Sequence, residues 1–168
     1  IAKLPFGGGK GVIIADPTKD KTPKLLQKYA ESVQNMQKSF FTGEDVGLQQ
    51  ADVDYMLQFS DFFIGKRDGA GDPSIYASLG VFECMKTTLK YLTGSDSLSG
   101  KKIAIKGLGK TGWELARLCE SAWASLIGAD IDLAVAEKAK VDFPGLQLVS
   151  PEEIHLVDVD IYAPCALG

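Results

Sequence analysis

Lys10 stands in Leu4-Pro5-Phe6-Gly7-Gly8-Gly9-Lys10-Gly11-Val12-Ile13-Ile14-Ala15-Asp16-Pro17, where three consecutive glycines clear the approach to one amine. Backbone and a small ligand can come close to a lysine so placed. In a dry, glycine-lined pocket it is a candidate acid/base group. Its ordinary pKa of about 10.4 has to fall by roughly two or three units to serve near neutrality, and desolvation can achieve that. The alternative is a glycine-rich turn with a solvated lysine. Asp45 is a second candidate, in Gly43-Glu44-Asp45-Val46-Gly47 straight after the strand-like Phe40-Phe41-Thr42. Side chains at such places commonly reach a cleft; the alternative is an Asx turn or a helix cap.

A third constellation binds rather than reacts. Gly107-Leu108-Gly109-Lys110-Thr111-Gly112 follows an apolar strand and opens a helix, and Asp130 ends the next strand, 23 positions after Gly107. A dinucleotide site requires that context: the first glycine makes the turn, the second lets backbone approach the pyrophosphate, and the third lets helix and strand pack. The helix N-terminus adds donors and positive potential. Asp130 can accept from the adenosine ribose hydroxyls and would repel a 2′-phosphate, which favours NAD over NADP. The alternative is a tight strand–helix turn without a ligand. A phosphate-loop NTPase is excluded, because Ala104 occupies the glycine position before Gly109-Lys110; before Gly9-Lys10 that position holds Leu4, and Gly11 replaces the Ser or Thr. His155 reads as a surface or satisfied residue, Cys165 as a packed thiol, and Asp52, Asp54 and Asp61 as a solvated helix face.

The elements that position these residues follow from the apolar pattern. Val12-Ile13-Ile14 is expected as a buried strand holding Lys10. Thr22 reads as an N-cap and Pro23 as the first residue of a helix with Leu25, Leu26, Tyr29, Val33 and Met36 on one face. A helical stretch over 51–59 offers Val53, Met56 and Leu57 to a core, and residues 65–74, dense in glycine and charge, form the domain boundary. Beyond it come a long helix over 75–92, strands at 102–106, 125–129, 146–149 and 159–162, and helices reaching about Cys119, starting from Leu133 and turning after Ser150. This alternation implies an α/β fold with a parallel, doubly wound sheet.

The 168 residues fit one domain or parts of two, and 45% hydrophobic with 24% charged residues suits a soluble globular protein. A net charge of −4 without a basic stretch argues against a nucleic-acid or acidic-membrane partner. Cys84, Cys119 and Cys165 are widely spaced and accompany a single histidine, which argues against a disulfide framework or a metal site and fits a reducing cytoplasm. No segment resembles a signal peptide or a membrane span. The chain opens inside a motif without an initiator Met, and both ends read as cuts in a longer chain.

Three separated motifs resemble the glutamate/leucine/phenylalanine/valine dehydrogenase family. Leu4 to Pro17 is similar to its active-site signature. Thr42-Gly43-Glu44-Asp45-Val46-Gly47 is similar to its second catalytic block, with the Lys10-to-Asp45 spacing of the leucine enzymes. Gly107 to Asp130, with Asp160-Ile161-Tyr162-Ala163-Pro164-Cys165-Ala166-Leu167-Gly168, is similar to its NAD-binding half. The resemblance covers nearly the whole chain, lies nearest the phenylalanine/leucine branch, and makes the chain an internal fragment.

It implies an α/β fold: part of an N-terminal substrate domain, residues 1–73, then a doubly wound Rossmann-type NAD-binding domain, residues 74–168. It also implies reversible oxidative deamination of an L-amino acid to its 2-oxo acid and ammonia, with NAD taking the hydride, in a cytoplasmic homo-oligomer. By that resemblance Lys10, uncharged when it acts, is the general base that activates water, and Asp45 exchanges protons with the amino group. Gly8, Gly9 and Gly43 line the substrate. Gly107, Leu108, Gly109, Lys110, Thr111, Gly112, Trp113, Asp130, Ile131, Cys165, Ala166 and Leu167 contact the cofactor. A cleft closing about residues 65–74 would supply orientation and exclude water.

Gly43 stands where the leucine enzymes carry alanine. The volume of one methyl would help a phenyl or indole group fit, so phenylalanine is the first choice of substrate, with leucine or valine next. Trp123 replaces a glycine expected with positive φ at a helix end. Two rival readings are a non-catalytic dinucleotide sensor and an NAD enzyme of hydroxy acids. The latter usually needs a histidine, and His155 lies late in the cofactor half.

Overall fold

In the computed structural model, which describes residues 3–167, the chain divides into two units, Ile1–Pro73 and Ser74–Gly168. In the first, Thr22 accepts the Leu25 N–H and Pro23 opens α1 (Pro23–Met36), as cap chemistry dictates. Leu26, Ala30 and Val33 recur along one face of α1 and are buried. They meet Val53 and Met56 of α2 (Gln50–Met56), both 0% exposed, and Phe63. Fully burying side chains of this size contributes about 1.5–3 kcal/mol each, so this small core holds the unit together.

Several expectations for this unit are corrected. Residues 12–14 form no strand, and Val12 and Ile14 are exposed. A β-branched run makes a strand only when a neighbour completes its hydrogen-bond ladder, and none of the described residues does so here. The strand expected at residues 40–42 shrinks to one parallel bridge, Thr42 to Phe63, in which Thr42 N–H donates to the Phe62 carbonyl and Ile64 N–H to that of Thr42. Met36 is exposed because α1 ends there, at Gln37 with φ 50°; Ala30 takes its place on the buried face. Asp52 and Asp54 are not simply solvated: Asp52 pairs with Lys21 and Asp54 with Arg67.

The second unit runs α3 (Pro73–Thr93), β1 (Lys102–Lys106), α4 (Lys110–Ser121), β2 (Ser125–Ala129), α5 (Leu133–Asp142), β3 (Gln147–Leu148) and β4 (Ile161–Pro164). The four strands are parallel in the order β3-β2-β1-β4, a doubly wound arrangement. Ile103, Ala104 and Ile105 of β1 are all 0% exposed, since the central strand is covered on both faces. Ile103 and Ile105 pack with Leu115, Cys119 and Leu146, while Ala104 joins Ala129 and Ile154 on the other side. Strand β4 starts two residues later than the pattern suggests. Asp160 first accepts from Lys101 Nζ and the Lys102 N–H, both at 2.9 Å, which sets the register.

At the end of α4, Trp123 N–H donates to the Glu120 carbonyl and Ala124 N–H to that of Cys119. This is a Schellman closure, with Trp123 at φ 63° in the left-handed position that glycine usually fills. Among the described residues no helix is long and apolar enough to cross a membrane.

Candidate functional site

In the first unit, Lys10 Nζ and Asp45 Oδ2, 35 positions apart in the chain, form an ion pair in direct contact. The glycines beside Lys10 explain its placement. A Cβ on Gly9 would stand 3.3 Å from the Phe40 ring, and one on Gly11 would stand 2.1 Å from the Tyr29 hydroxyl. The lysine segment thus lies against these two aromatic side chains, while Gly7 and Gly8 face open space.

Asp45 is oriented by its own turn. Oδ1 accepts the Val46 N–H at 2.7 Å, and its carbonyl accepts the Leu48 N–H at 2.9 Å. One oxygen is thus held by the amide of the next residue and the other meets the lysine. The bond is to residue i+1, so it is not the Asx turn of the alternative, which would take the amide two residues on. The two side chains are 66% and 48% exposed, which corrects the expected dry pocket. An ion pair so open adds little stability and leaves both groups within reach of a small ligand.

Lys21, which the sequence did not single out, and Asp52, which it placed on a solvated face, hold this arrangement. Lys21 Nζ donates to the Gly47 carbonyl at 3.2 Å and to Asp52 Oδ2 at 2.7 Å. Asp52 also accepts the Gln49 N–H at the start of α2. The available signal was the capping-box spacing of Asp52; nothing local marked Lys21.

Gly43 behaves differently from expectation. A Cβ there would lie 2.9 Å from the Ile64 carbonyl oxygen and 3.0 Å from Ile64 Cγ1. The bridge from Thr42 brings Ile64 into that position, so the missing methyl makes room for backbone and opens no space for a substrate.

The second unit gathers the glycine turn at the C-terminal end of β1. Gly107 has φ 91°, and a Cβ on it would stand 2.6 Å from the Ala166 nitrogen; Cys165 N–H donates to the Lys106 carbonyl. The terminal run is thereby laid beside the turn, with Ala166 and Leu167 exposed; Gly168 lies outside the described residues. A Cβ on Gly112 would stand 1.8 Å from the Gly107 oxygen, so α4 and β1 pack only with glycine here. Gly109, the N-cap of α4, faces open space, as a group bound across the helix N-terminus requires. Lys110 and Thr111 form the first turn of α4, where helix amides lack intrahelical partners.

Asp130 Oδ2 accepts the Leu108 N–H at 2.7 Å and Oδ1 the Asp132 N–H at 2.9 Å. Each oxygen keeps a second lone pair for a hydroxyl. Cradle, open N-cap and oriented carboxylate fit the pyrophosphate and ribose of a dinucleotide. Exposed Ile131 stands beside that carboxylate.

Other expected contacts are committed elsewhere. The Leu108 side chain is buried. The Trp113 indole N–H donates to Asp142 at 2.7 Å, the ring packs on Phe143, and its backbone N–H donates to the Gly109 carbonyl. Burial raises the Cys165 thiol and pushes that of Cys119 up to about 12, so neither is poised as a nucleophile. His155 is exposed. No group of metal-binding side chains occurs among the described residues.

Residues 1–61 match the family model of Glu/Leu/Phe/Val dehydrogenase, dimerisation domain. Leucine dehydrogenase of Geobacillus stearothermophilus is 39% identical over 170 residues, covering 99% of this chain and 46% of that protein. The phenylalanine dehydrogenase of Lysinibacillus sphaericus is 38% identical over 174 residues, covering 99% and 46%. The crystal structure of L-tryptophan dehydrogenase from Nostoc punctiforme superposes with a TM-score of 0.68 at 38% identity, covering 99% of this chain and 47% of that one. The chain belongs to the Glu/Leu/Phe/Val dehydrogenase family.

It spans about half the length of the curated relatives it matches. Its fold is the family's: α/β, with an N-terminal substrate domain followed by a Rossmann-type domain. A glutamate dehydrogenase from Thermus thermophilus, 22% identical with a TM-score of 0.66, shares that fold. For a Glu/Leu/Phe/Val dehydrogenase, the two clusters just described divide between the domains: the amine–carboxylate pair in the first, the dinucleotide-type turn in the second.

Proposed function

We propose that the protein catalyses the NAD-dependent, reversible oxidative deamination of a hydrophobic L-amino acid to its 2-oxo acid and ammonia. The observation that carries this reading is the contact between Lys10 and Asp45 across 35 residues of chain. A proton donor–acceptor pair is what interconversion of amine, imine and carbonyl needs, and both names and folds of the relatives support the same chemistry. When bound, NAD supplies the acceptor for the hydride that leaves the substrate Cα.

In this proposal Lys10, as the free amine, removes a proton from the water that adds to the imino carbon. Its ammonium form then stabilises charge on the substrate oxygen. Asp45 Oδ2 exchanges protons with the amino group, while the Val46 N–H keeps the other oxygen turned away. The open backbone at Gly8, beside Gly9, leaves a path for the substrate. In the second unit Gly107, Gly109 and Gly112 shape the pyrophosphate cradle, Lys110 and Thr111 present the α4 N-terminus, and Asp130 accepts the ribose hydroxyls and disfavours a 2′-phosphate.

Phenylalanine stays in the reading as one hydrophobic candidate among leucine, valine and tryptophan, because the Ile64 contact removes the volume argument that had ranked it first. Homo-oligomerisation is part of the proposal, supported by the dimerisation-domain match over residues 1–61.

The test is NADH production by the full-length protein on L-phenylalanine, L-leucine, L-valine, L-tryptophan and L-glutamate, with NADP as the alternative acceptor. Lys10→Ala and Asp45→Asn are each expected to lower kcat by about 10²–10⁴-fold. Near-normal rates in either variant overturn its catalytic role. NAD binding without turnover on any amino acid would hand the protein to the sensor reading.

A further inference from the structure

We infer that Lys21 is a positioning residue for Asp45, gripping the loop that carries the carboxylate. The inference rests on the proposed role of Asp45. The turn from Asp45 to Leu48 is closed on one side by its own hydrogen bonds, Val46 N–H to Asp45 Oδ1 and Leu48 N–H to the Asp45 carbonyl. Those bonds set the turn's internal shape without fixing where it sits in the unit.

Lys21 supplies that anchor. Its Nζ reaches the carbonyl of Gly47, two residues beyond Asp45, at 3.2 Å, and Asp52 Oδ2 at 2.7 Å. Gly47 has φ 83°, and a Cβ on it would stand 3.2 Å from Pro17, so the turn also rests on the loop leading to Lys21. Asp52 in turn accepts the Gln49 N–H, tying the same ammonium to the start of α2. One side chain thus joins three segments: the loop before α1, the Asp45 turn, and the first turn of α2.

The burial is what separates this pair from the other ion pairs of the unit. The Lys21 and Asp52 side chains are 22% and 16% exposed, whereas those of Lys28 and Glu31 are 68% and 38% exposed. A shielded ammonium with two defined acceptors holds geometry better than a solvated surface pair. Its contacts lie on loops and a helix start, outside the packed cluster of Leu26, Ala30, Val33, Val53, Met56 and Phe63. Removing it therefore frees the Asp45 turn while the core remains. A carboxylate displaced by a fraction of an ångström no longer meets Lys10 or the substrate amino group correctly, and such misplacement is costly to turnover.

The experiment uses the full-length protein with Lys21→Met, Lys21→Arg, Asp45→Asn and, as a surface control, Lys28→Met. Positioning predicts that Lys21→Met lowers kcat by about tenfold or more, with KM for amino acid and NAD within about twofold of the parent. Amide exchange at Val46 and Leu48 should speed up, Lys21→Arg should restore most of kcat, and Lys28→Met should match the parent. If folded Lys21→Met turns over within about twofold of the parent while Asp45→Asn is inactive, the positioning role is wrong and the catalytic reading stands. If Asp45→Asn is itself active, the catalytic reading falls and takes this inference with it. Should Lys21→Met fail to fold, Asp52→Asn carries the test, because it keeps an oxygen for the Gln49 N–H. A selective loss of kcat there supports the inference, and parental kcat overturns it.

Discussion

The first unit assembles its candidate site from segments that share no β-ladder, while the second hangs its own on the most regular part of the chain. Lys10 and Asp45 lie on loops, joined by an ion pair open to solvent and steadied by side chains from elsewhere: Tyr29, Phe40, Lys21 and Asp52. Gly107, Gly109 and Gly112 lie where a strand with a buried centre passes into a helix; close backbone contacts hold Gly107 and Gly112 to glycine, while Gly109 faces open space. In the second unit the turn and its helix are contiguous in sequence, with Ala166 brought in from the end of the chain. In the first the two side chains are distant in sequence and depend on long-range contacts, as suits the proton exchange proposed for them.

That contrast can be broken by substitution. The largest effect is expected for Gly112→Ala. Its new methyl would meet the Gly107 carbonyl oxygen, 1.8 Å from the Cβ position, with no flexible atom to yield. A loss of about 3 kcal/mol or more is expected, read as a drop in Tm together with loss of NAD binding in a titration. An unchanged Tm would mean that the cradle is less rigid than its contacts indicate.

Gly43→Ala is expected to cost about 1–2 kcal/mol, because the Ile64 carbonyl stands 2.9 Å from the Cβ position. The ranking of amino-acid substrates should stay the same. If Tm were kept and preference moved from phenylalanine toward leucine, Gly43 would be a substrate-lining position and the first unit's loops would be looser than described.

The smallest effect carries the opposite sign. Trp123 sits at φ 63° with 81% of its surface exposed, so Trp123→Gly relieves left-handed strain and gives up little burial. Net stabilisation of about 1 kcal/mol is expected in thermal unfolding. A lower Tm would show that the indole makes a contact this chain does not reveal.

Much of the second unit could be read directly from the residues. Strands at 102–106 and 125–129 lie where the apolar runs put them, the glycine turn follows the first, and Asp130 directly follows the second. Most of this comes from near neighbours, although the Ala166 backbone that Gly107 meets lies far along the chain. A buried parallel strand reads as a continuous apolar run, and Gly112 approaches the Gly107 oxygen one turn away. The same holds for Thr22 and Pro23, whose cap chemistry acts over three residues.

The first unit was less legible. The apolar run at residues 12–14 pointed to a buried strand, and Gly43 to space for a larger substrate. Both depend on partners far along the chain: a strand needs a ladder neighbour, and the meaning of a missing methyl depends on what stands opposite, here Ile64. Residue type and spacing along the chain marked the groups able to carry the proposed chemistry, Lys10 and Asp45 among them, and the local scaffolds of the glycine turn and the capped helices. Only tertiary structure brought Lys10 onto Asp45, set Ile64 against Gly43, and drew Lys21 to Gly47 and Asp52. Pairings across tens of residues follow from how cores and loops close in space, and no periodicity or spacing along the chain encodes that closure.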